Sequence, residues 1–280
     1  MTTTQEQILP GDSLVMETGR QGRREAEAFR DYLKQLPEKR WLNKSFCSDW
    51  TIRDVAKHQA AQGWVMRDMV LTTIKGNSFD GLNFQAIEER AAELEGLNRL
   101  ELADRLVQVT HEMYDALERA TPEQLDLSAE TRFGRINLAF AGSLRLSELS
   151  LHSWDVRVVE DLTAKVSRES LPLLFPGLVA ALPGLVHSPT VKQLATTTYQ
   201  FEISGSVKGP LSLSLEQGKV RAKRDYAEKA DVTLKLDSEA FLRLSWGRLK
   251  NLEWMIRDGW VKVEGDKAAA LKLSELFQGR

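Results

Sequence analysis

The sequence holds a single cysteine, Cys47, in 280 residues, so no internal disulfide framework can form. It also lacks any run approaching the ~20 apolar residues that span a bilayer. The longest apolar stretch, LPLLFPGLVAALPGLV, is interrupted by three prolines. Neither charge dominates: 38 basic residues stand against 40 acidic ones, a net charge of −2. That balance gives no electrostatic footprint for nucleic acid or for an anionic membrane surface. The first thirty residues contain no apolar core of the signal-peptide kind. There is no internal repeat and no low-complexity tract. These absences set the expectation of a soluble protein in the reducing cytoplasm.

What is present is ordinary for a globular chain, with 42% hydrophobic and 28% charged residues. The length suits one large domain or two smaller ones. From about residue 21 to 160 the apolar residues recur at helical spacing. Ala26, Phe29, Tyr32, Leu33 and Leu36 form one such series. Thr51 is a candidate N-cap, since Asp54 three residues on can answer its backbone amide. The helix it opens carries Ile52, Val55, Ala56, Trp64, Met69 and Val70 at three-to-four spacing. A charged link follows, and then a third helix, LNRLELADRLVQVTHEMYDALERA, stops at Thr121-Pro122. A turn-like segment around Gly134 leads to a fourth, INLAFAGSLRLSELSLHSWDVRVVE. Four amphipathic helices of this length predict a bundle.

The proline-broken apolar stretch then reads as a short buried or interdomain helix. From Thr198 the period falls to two, in TYQFEISG, PLSLSLEQGKVRAKR and ADVTLKLDS, with turns at Gly205, Gly209-Pro210 and Gly218. These predict antiparallel strands with one buried face. Helical SEAFLRLSWG, strand-like WVKVEGD and a last helix, KAAALKLSELF, complete the chain. Helices alone followed by strands and helices predict two domains, residues 1–165 and 166–280: a four-helix bundle, then a smaller antiparallel-sheet-and-helix domain.

Glu148 and His152 lie four apart, which stacks them on one helix face. A carboxylate and a neutral imidazole suit zinc, and catalytic zinc sites commonly use three protein ligands and an open position. His58, near the middle of the second helix beside its apolar face, is the candidate third ligand. Spacing alone leaves other readings open: a solvated ion pair for Glu148 and His152, a hydrogen-bonded core histidine for His58. Asp155 is spaced to accept the second ring proton of His152, or to pair with Arg157 or Arg53 at the surface. Trp50, Trp64 and Trp154 read as packing. Cys47, with only Lys44 as a basic neighbour, reads as a small, half-exposed or buried residue and not as a nucleophile.

CSDWTIRDVAKHQAAQGW and LRLSELSLHSWDVRVVE, about ninety residues apart, resemble the two metal-binding motifs of the DinB-like, mycothiol-dependent maleylpyruvate isomerase family. The resemblance covers roughly residues 20–160 and implies that His58, Glu148 and His152 bind zinc. ADVTLKLDSEAFLRLSWGRL with GWVKVEGDKAAALKL resembles the sterol-carrier-protein-2-like (SCP2-like) domain often fused to it, which serves lipid binding, or dimerisation and substrate closure. Arg248, in Trp246-Gly247-Arg248, resembles a position where that isomerase family presents an arginine to the active site, where its guanidinium suits a carboxylate-bearing substrate; without the resemblance it reads as an exposed structural arginine. The resemblance therefore implies a zinc-dependent thiol transferase or isomerase using a low-molecular-weight thiol such as mycothiol on a small electrophilic substrate. The alternative is a non-enzymatic, metal-stabilised module with an apolar-ligand-binding second domain.

Overall fold

In a computed structural model the chain is described from residue 11 to 279, apart from residues 48, 80–81, 132–133, 194–195 and 250. The first ten residues of the expected first domain, and Ser48 of its first motif, lie outside the described residues. Four long helices build the bundle: α1 (Gly11–Gln35), α2 (Ile52–Ile74), α4 (Arg99–Glu118) and α6 (Leu138–Arg157). Helix α1 packs against α4 and α6, and α2 packs against the same two from the opposite side. α1 begins well before the periodic stretch that marks it in the sequence. A short helix, α3 (Phe84–Glu93), lies along α2 in what reads as a charged link, and one turn, α5 (Pro122–Leu125), follows α4. The turn-like segment around Gly134 is a hairpin of β1 (Ser128–Thr131) and β2 (Gly134–Asn137). Gly134 supplies the positive φ, +102°, at its turn.

α6 departs most from the amphipathic expectation. Every residue from Ala141 to Val156 is buried, polar ones included. The reason is α7 (Ser170–Leu185), the proline-interrupted stretch, which covers the side of α6 that α1 and α2 leave open. The two helices approach closely at Gly177, where a Cβ would stand 2.8 Å from Ser143 Cβ and 3.0 Å from the Leu144 nitrogen. No described helix is long and apolar enough to cross a membrane.

After α8 (Ser188–Gln193) come β3 (Thr197–Ser204), β4 (Gly209–Glu216), β5 (Lys219–Lys223), β6 (Val232–Asp237), α9 (Ser238–Ser245), α10 (Leu252–Arg257), β7 (Lys262–Gly265) and α11 (Lys267–Leu276). The sheet order is β5-β4-β3-β6-β7. Three of its neighbouring pairs are antiparallel, as the alternating pattern predicts, while β3 and β6 run parallel. The chain leaves the β5 edge and returns on the far side of β3, so β6 enters in the direction of β3. Phe201 of β3 packs edge-on to Phe241 of α9 at 5.0 Å, and Phe175 of α7 lies 5.8 Å from Phe241. α7 therefore contributes to both cores.

Candidate metal centre

The site is built where α2 faces α6. Thr51 opens α2 with a capping box: its Oγ1 accepts from the Asp54 amide at 3.2 Å, and Asp54 Oδ2 accepts from the Thr51 amide at 3.0 Å. His58 follows two turns later, 9% exposed. Glu148 and His152, 1% and 4% exposed, project from α6. One donor atom from each of the three lies within 4.8 Å of the other two. Glu148 Oε2 stands 3.5 Å from His152 Nε2 and 3.8 Å from His58 Nε2. A tetrahedral zinc ion holds neighbouring N and O ligands about 3.3–3.5 Å apart. The donor set suits such an ion, and the two distances to Glu148 match that spacing to within a few tenths of an ångström. Trp50 closes one side, its ring 4.7 Å from that of His58 and stacked 6.1 Å from that of His152.

Behind His152, on the side away from Glu148, Asp155 Oδ2 lies 2.9 Å from Nδ1. Asp155 is fully buried and carries the second-domain residue Arg248, by Nη2 to Oδ2 at 2.8 Å and Nε to Oδ1 at 3.2 Å. This replaces the surface pairing with Arg157 or Arg53 that spacing alone left open. Nη1 of Arg248 donates to the Trp246 carbonyl at 2.7 Å, and Nη2 donates also to Cys47 Sγ at 3.2 Å. The guanidinium is thus taken up by a buried network and is 5% exposed. Cys47, which in the sequence has no basic neighbour but Lys44, receives one from two hundred residues away. Cys47 also lies against His152.

The electrostatics follow. Burial opposes the charge of Asp155, yet Arg248 and His152 outweigh it and hold its carboxyl below the usual range. Burial likewise opposes protonation of His152, but contacts with Asp155, Cys47 and Glu148 raise its pKa well above the ordinary value. Arg248 follows the same pattern, burial being overcome by Asp155.

Local sequence explains how Arg248 is aimed. α9 ends in a Schellman turn: the Arg248 amide bonds the Arg243 carbonyl at 2.7 Å, and the Gly247 amide bonds the Leu244 carbonyl at 2.9 Å. Gly247 has φ +69°, and a Cβ there would stand 2.2 Å from the Gly279 nitrogen, so only glycine fits.

The other histidines lie outside this cluster: His111 pairs with Glu27 at 3.2 Å, and His187 contacts Thr190 at 2.8 Å. Sequence reading missed Arg145, which is fully buried in the bundle. It donates to Gln62 Oε1 at 2.9 Å, to Gln59 Oε1 and O at 3.2 and 3.0 Å, and to Thr110 Oγ1 at 2.8 Å. Burial brings its pKa down to about 10, against the opposing pull of Tyr114 and Glu148. Its place three residues before Glu148, on the face of the candidate ligands, was the available signal.

Fold and site together define a two-domain protein, a helical bundle with a candidate metal centre backed by an α+β domain. Residues 23–157 match the family model of the mycothiol maleylpyruvate isomerase N-terminal domain, and residues 182–278 match that of the SCP-2 sterol transfer family. The chain is therefore similar to the first family over its helical part and to the second over its α+β part. Its fold is similar to a crystal structure of the mycothiol-dependent maleylpyruvate isomerase, with a TM-score of 0.61 and 14% identity over 90% of this chain and 94% of that one. A mutant of the same isomerase gives a TM-score of 0.60. Hydroxysteroid dehydrogenase-like protein 2 of Xenopus tropicalis is 33% identical over 113 residues, 40% of this chain and 26% of that protein. The chain spans about a quarter of the length of that curated relative.

Proposed function

We propose that this protein is a metal-dependent thiol transferase or isomerase, with zinc held by His58, Glu148 and His152. The observation that carries the reading is the convergence of these three donors from two helices, within 4.8 Å of one another and nearly withdrawn from water. Zinc bound there would hold the sulfur of a small thiol, such as mycothiol, as thiolate at neutral pH and so supply the nucleophile. The protein's own residues do the rest. Glu148 brings a negative charge to the two imidazoles. Asp155 Oδ2 faces Nδ1 of His152, which leaves Nε2 for the metal and would keep that ring basic. Trp50 walls the histidines from water on one side. The substrate in this reading is a small electrophile with an activated double bond or a leaving group. The match to the isomerase N-terminal domain supports the thiol, and the one buried cysteine suits a reducing compartment.

Purified full-length protein should carry about one zinc per chain. His58→Ala, Glu148→Ala and His152→Ala should each lose most of it, read by atomic emission after gel filtration. Full occupancy in any of these variants removes that residue from the ligand set. Metal-loaded protein should then consume maleylpyruvate-like and other electrophiles only when a small thiol is present. Turnover without any thiol would point instead to hydrolysis.

The SCP-2 match supports a second reading, an apolar ligand in the C-terminal domain. Such a ligand would have to make room among Phe175, Phe201 and Phe241, whose rings are in contact. Saturable uptake of a fluorescent fatty acid at about one per chain would support it, and no uptake would count against it. The dimer that the resemblance implies is tested by light scattering.

A further inference from the structure

Arg248 and its two side-chain partners come from different domains. The guanidinium hangs from the Schellman turn after α9, whereas Asp155 ends α6 and Cys47 lies in the loop before α2. That loop is itself tied to Asp155, because the Phe46 amide donates to the Asp155 carbonyl at 2.9 Å. Removing Arg248 from this contact would leave Asp155 as a buried carboxylate facing only His152, an arrangement in which the imidazole must compensate it. Outer partners of a metal-binding histidine fix its orientation and basicity, and their loss typically costs 10–100-fold in metal affinity.

We propose that Arg248 is a positioning residue that couples docking of the second domain to metal affinity. With the domain docked, Arg248 clamps Asp155, and Asp155 holds His152 with Nε2 turned towards Glu148 and His58. With the domain lifted, Asp155 loses its cation, His152 loses its fixed orientation, and Cys47 loses its cover. Coupling of this kind is reciprocal: whatever docking adds to metal affinity, the metal returns to docking. Other contacts join the same surfaces independently of Arg248. The Arg243 guanidinium lies 4.3 Å over the Trp154 ring, and α7 packs along α6. The domain interface therefore outlasts loss of the clamp, which makes the coupling open to substitution. The inference rests on the metal reading above.

The test uses full-length protein and zinc alone. Zinc affinity is measured by competition with a chromophoric chelator in wild type, Arg248→Ala, Arg248→Lys, Asp155→Asn and the double variant. Arg248→Ala should weaken zinc about 10–100-fold. Arg248→Lys should recover part of this, and Arg248→Ala should add little once Asp155 is Asn, since it acts through that carboxylate. The second measurement needs no substitution at the clamp: the rate at which iodoacetamide alkylates Cys47. Zinc should slow alkylation in wild type, while Arg248→Ala should react fast with or without zinc. Cys47→Ser, which keeps a small polar group beside His152, should lose less zinc affinity than His152→Ala does. An unchanged zinc affinity in Arg248→Ala, or an alkylation rate indifferent to zinc, overturns the coupling and leaves the three-ligand reading standing. Loss of zinc in Cys47→Ser as deep as in His152→Ala overturns it in favour of direct ligation by the thiol. A wild-type protein that binds no zinc ends both readings together. If Arg248→Ala fails to fold, the zinc dependence of wild-type alkylation decides.

Discussion

Glu239 illustrates how a single side chain at the domain interface sets pH behaviour. Burial lifts its carboxyl above the ordinary value despite the Val166 amide that it accepts and the Arg243 guanidinium 4.0 Å away. A raised pKa means that the folded state holds the proton more tightly than the unfolded chain. Its contribution to stability is therefore full below the unfolded value of 4.5 and is lost as pH rises through the folded one. Glu239→Gln stays neutral and still offers an oxygen to Val166. The variant should match wild type at about pH 4 and gain on it as pH rises towards about 7, read as urea midpoints across that range. A difference that does not change with pH would show that the Glu239 proton plays no part. Two of the three candidate ligands were readable at this scale, because Glu148 and His152 are local neighbours on one helix. Cys47 and Arg145 were not. Cys47 looks ordinary beside its chain neighbours, Arg145 shows locally only that it shares a face with Glu148, and their partners lie 201 and 35 to 86 residues away.

Among the elements, α2 shows how a local signal survives into the folded state. The Thr51–Asp54 box is complete, and it fixes the start of the helix that carries His58. Thr51→Ala removes the side-chain bond to the Asp54 amide and should cost about 1 kcal/mol. It should lower the thermal midpoint while zinc stoichiometry stays near one per chain. Loss of zinc along with the cap would mean that the helix start is needed to register His58. α6 shows the opposite case. Its buried polar residues (Arg145, Ser147, Glu148, Ser150, His152, Ser153 and Asp155) are spread round the helix, so hydrophobic pattern alone marks no single buried face. Arg145, Glu148 and His152 are covered by α2, Asp155 by Arg248, and α7 closes the side of Ser143 and Leu144; α7 is itself marked in sequence by prolines that ordinarily argue against a helix interior.

At the scale of the molecule, the expected boundary between residues 165 and 166 falls in the segment that joins α6 to α7. We propose that the two sides are separable units and that α7 stabilises the first while belonging in sequence to the second. A fragment of residues 1–165 should be helical but should bind a hydrophobic dye strongly, because Leu144 and its neighbours on α6 lose their cover. A fragment of residues 1–187, which keeps α7, should bind far less dye and unfold at a higher temperature. Equal dye binding and equal midpoints would show that α7 contributes nothing to the bundle.

The sequence alone determined what depends on near neighbours. Helical spacing marked the four bundle helices, alternation marked the strands of the second domain, capping chemistry marked the start of α2, and four-residue spacing placed Glu148 beside His152. Each rests on backbone geometry that repeats within a turn or a pleat, so it is written in adjacent residues. Tertiary structure decided the rest: that α6 is buried all round, that β3 and β6 run parallel, and that His58 meets Glu148 across the bundle. It also decided that Arg248 turns to Asp155 and Cys47, not to an open cleft. These pairings bring together residues about 90 to 200 positions apart. A buried charge needs a partner, because desolvation without one costs several kcal/mol. Which partner it finds depends on how the helices and domains close on one another, and no local pattern carries that.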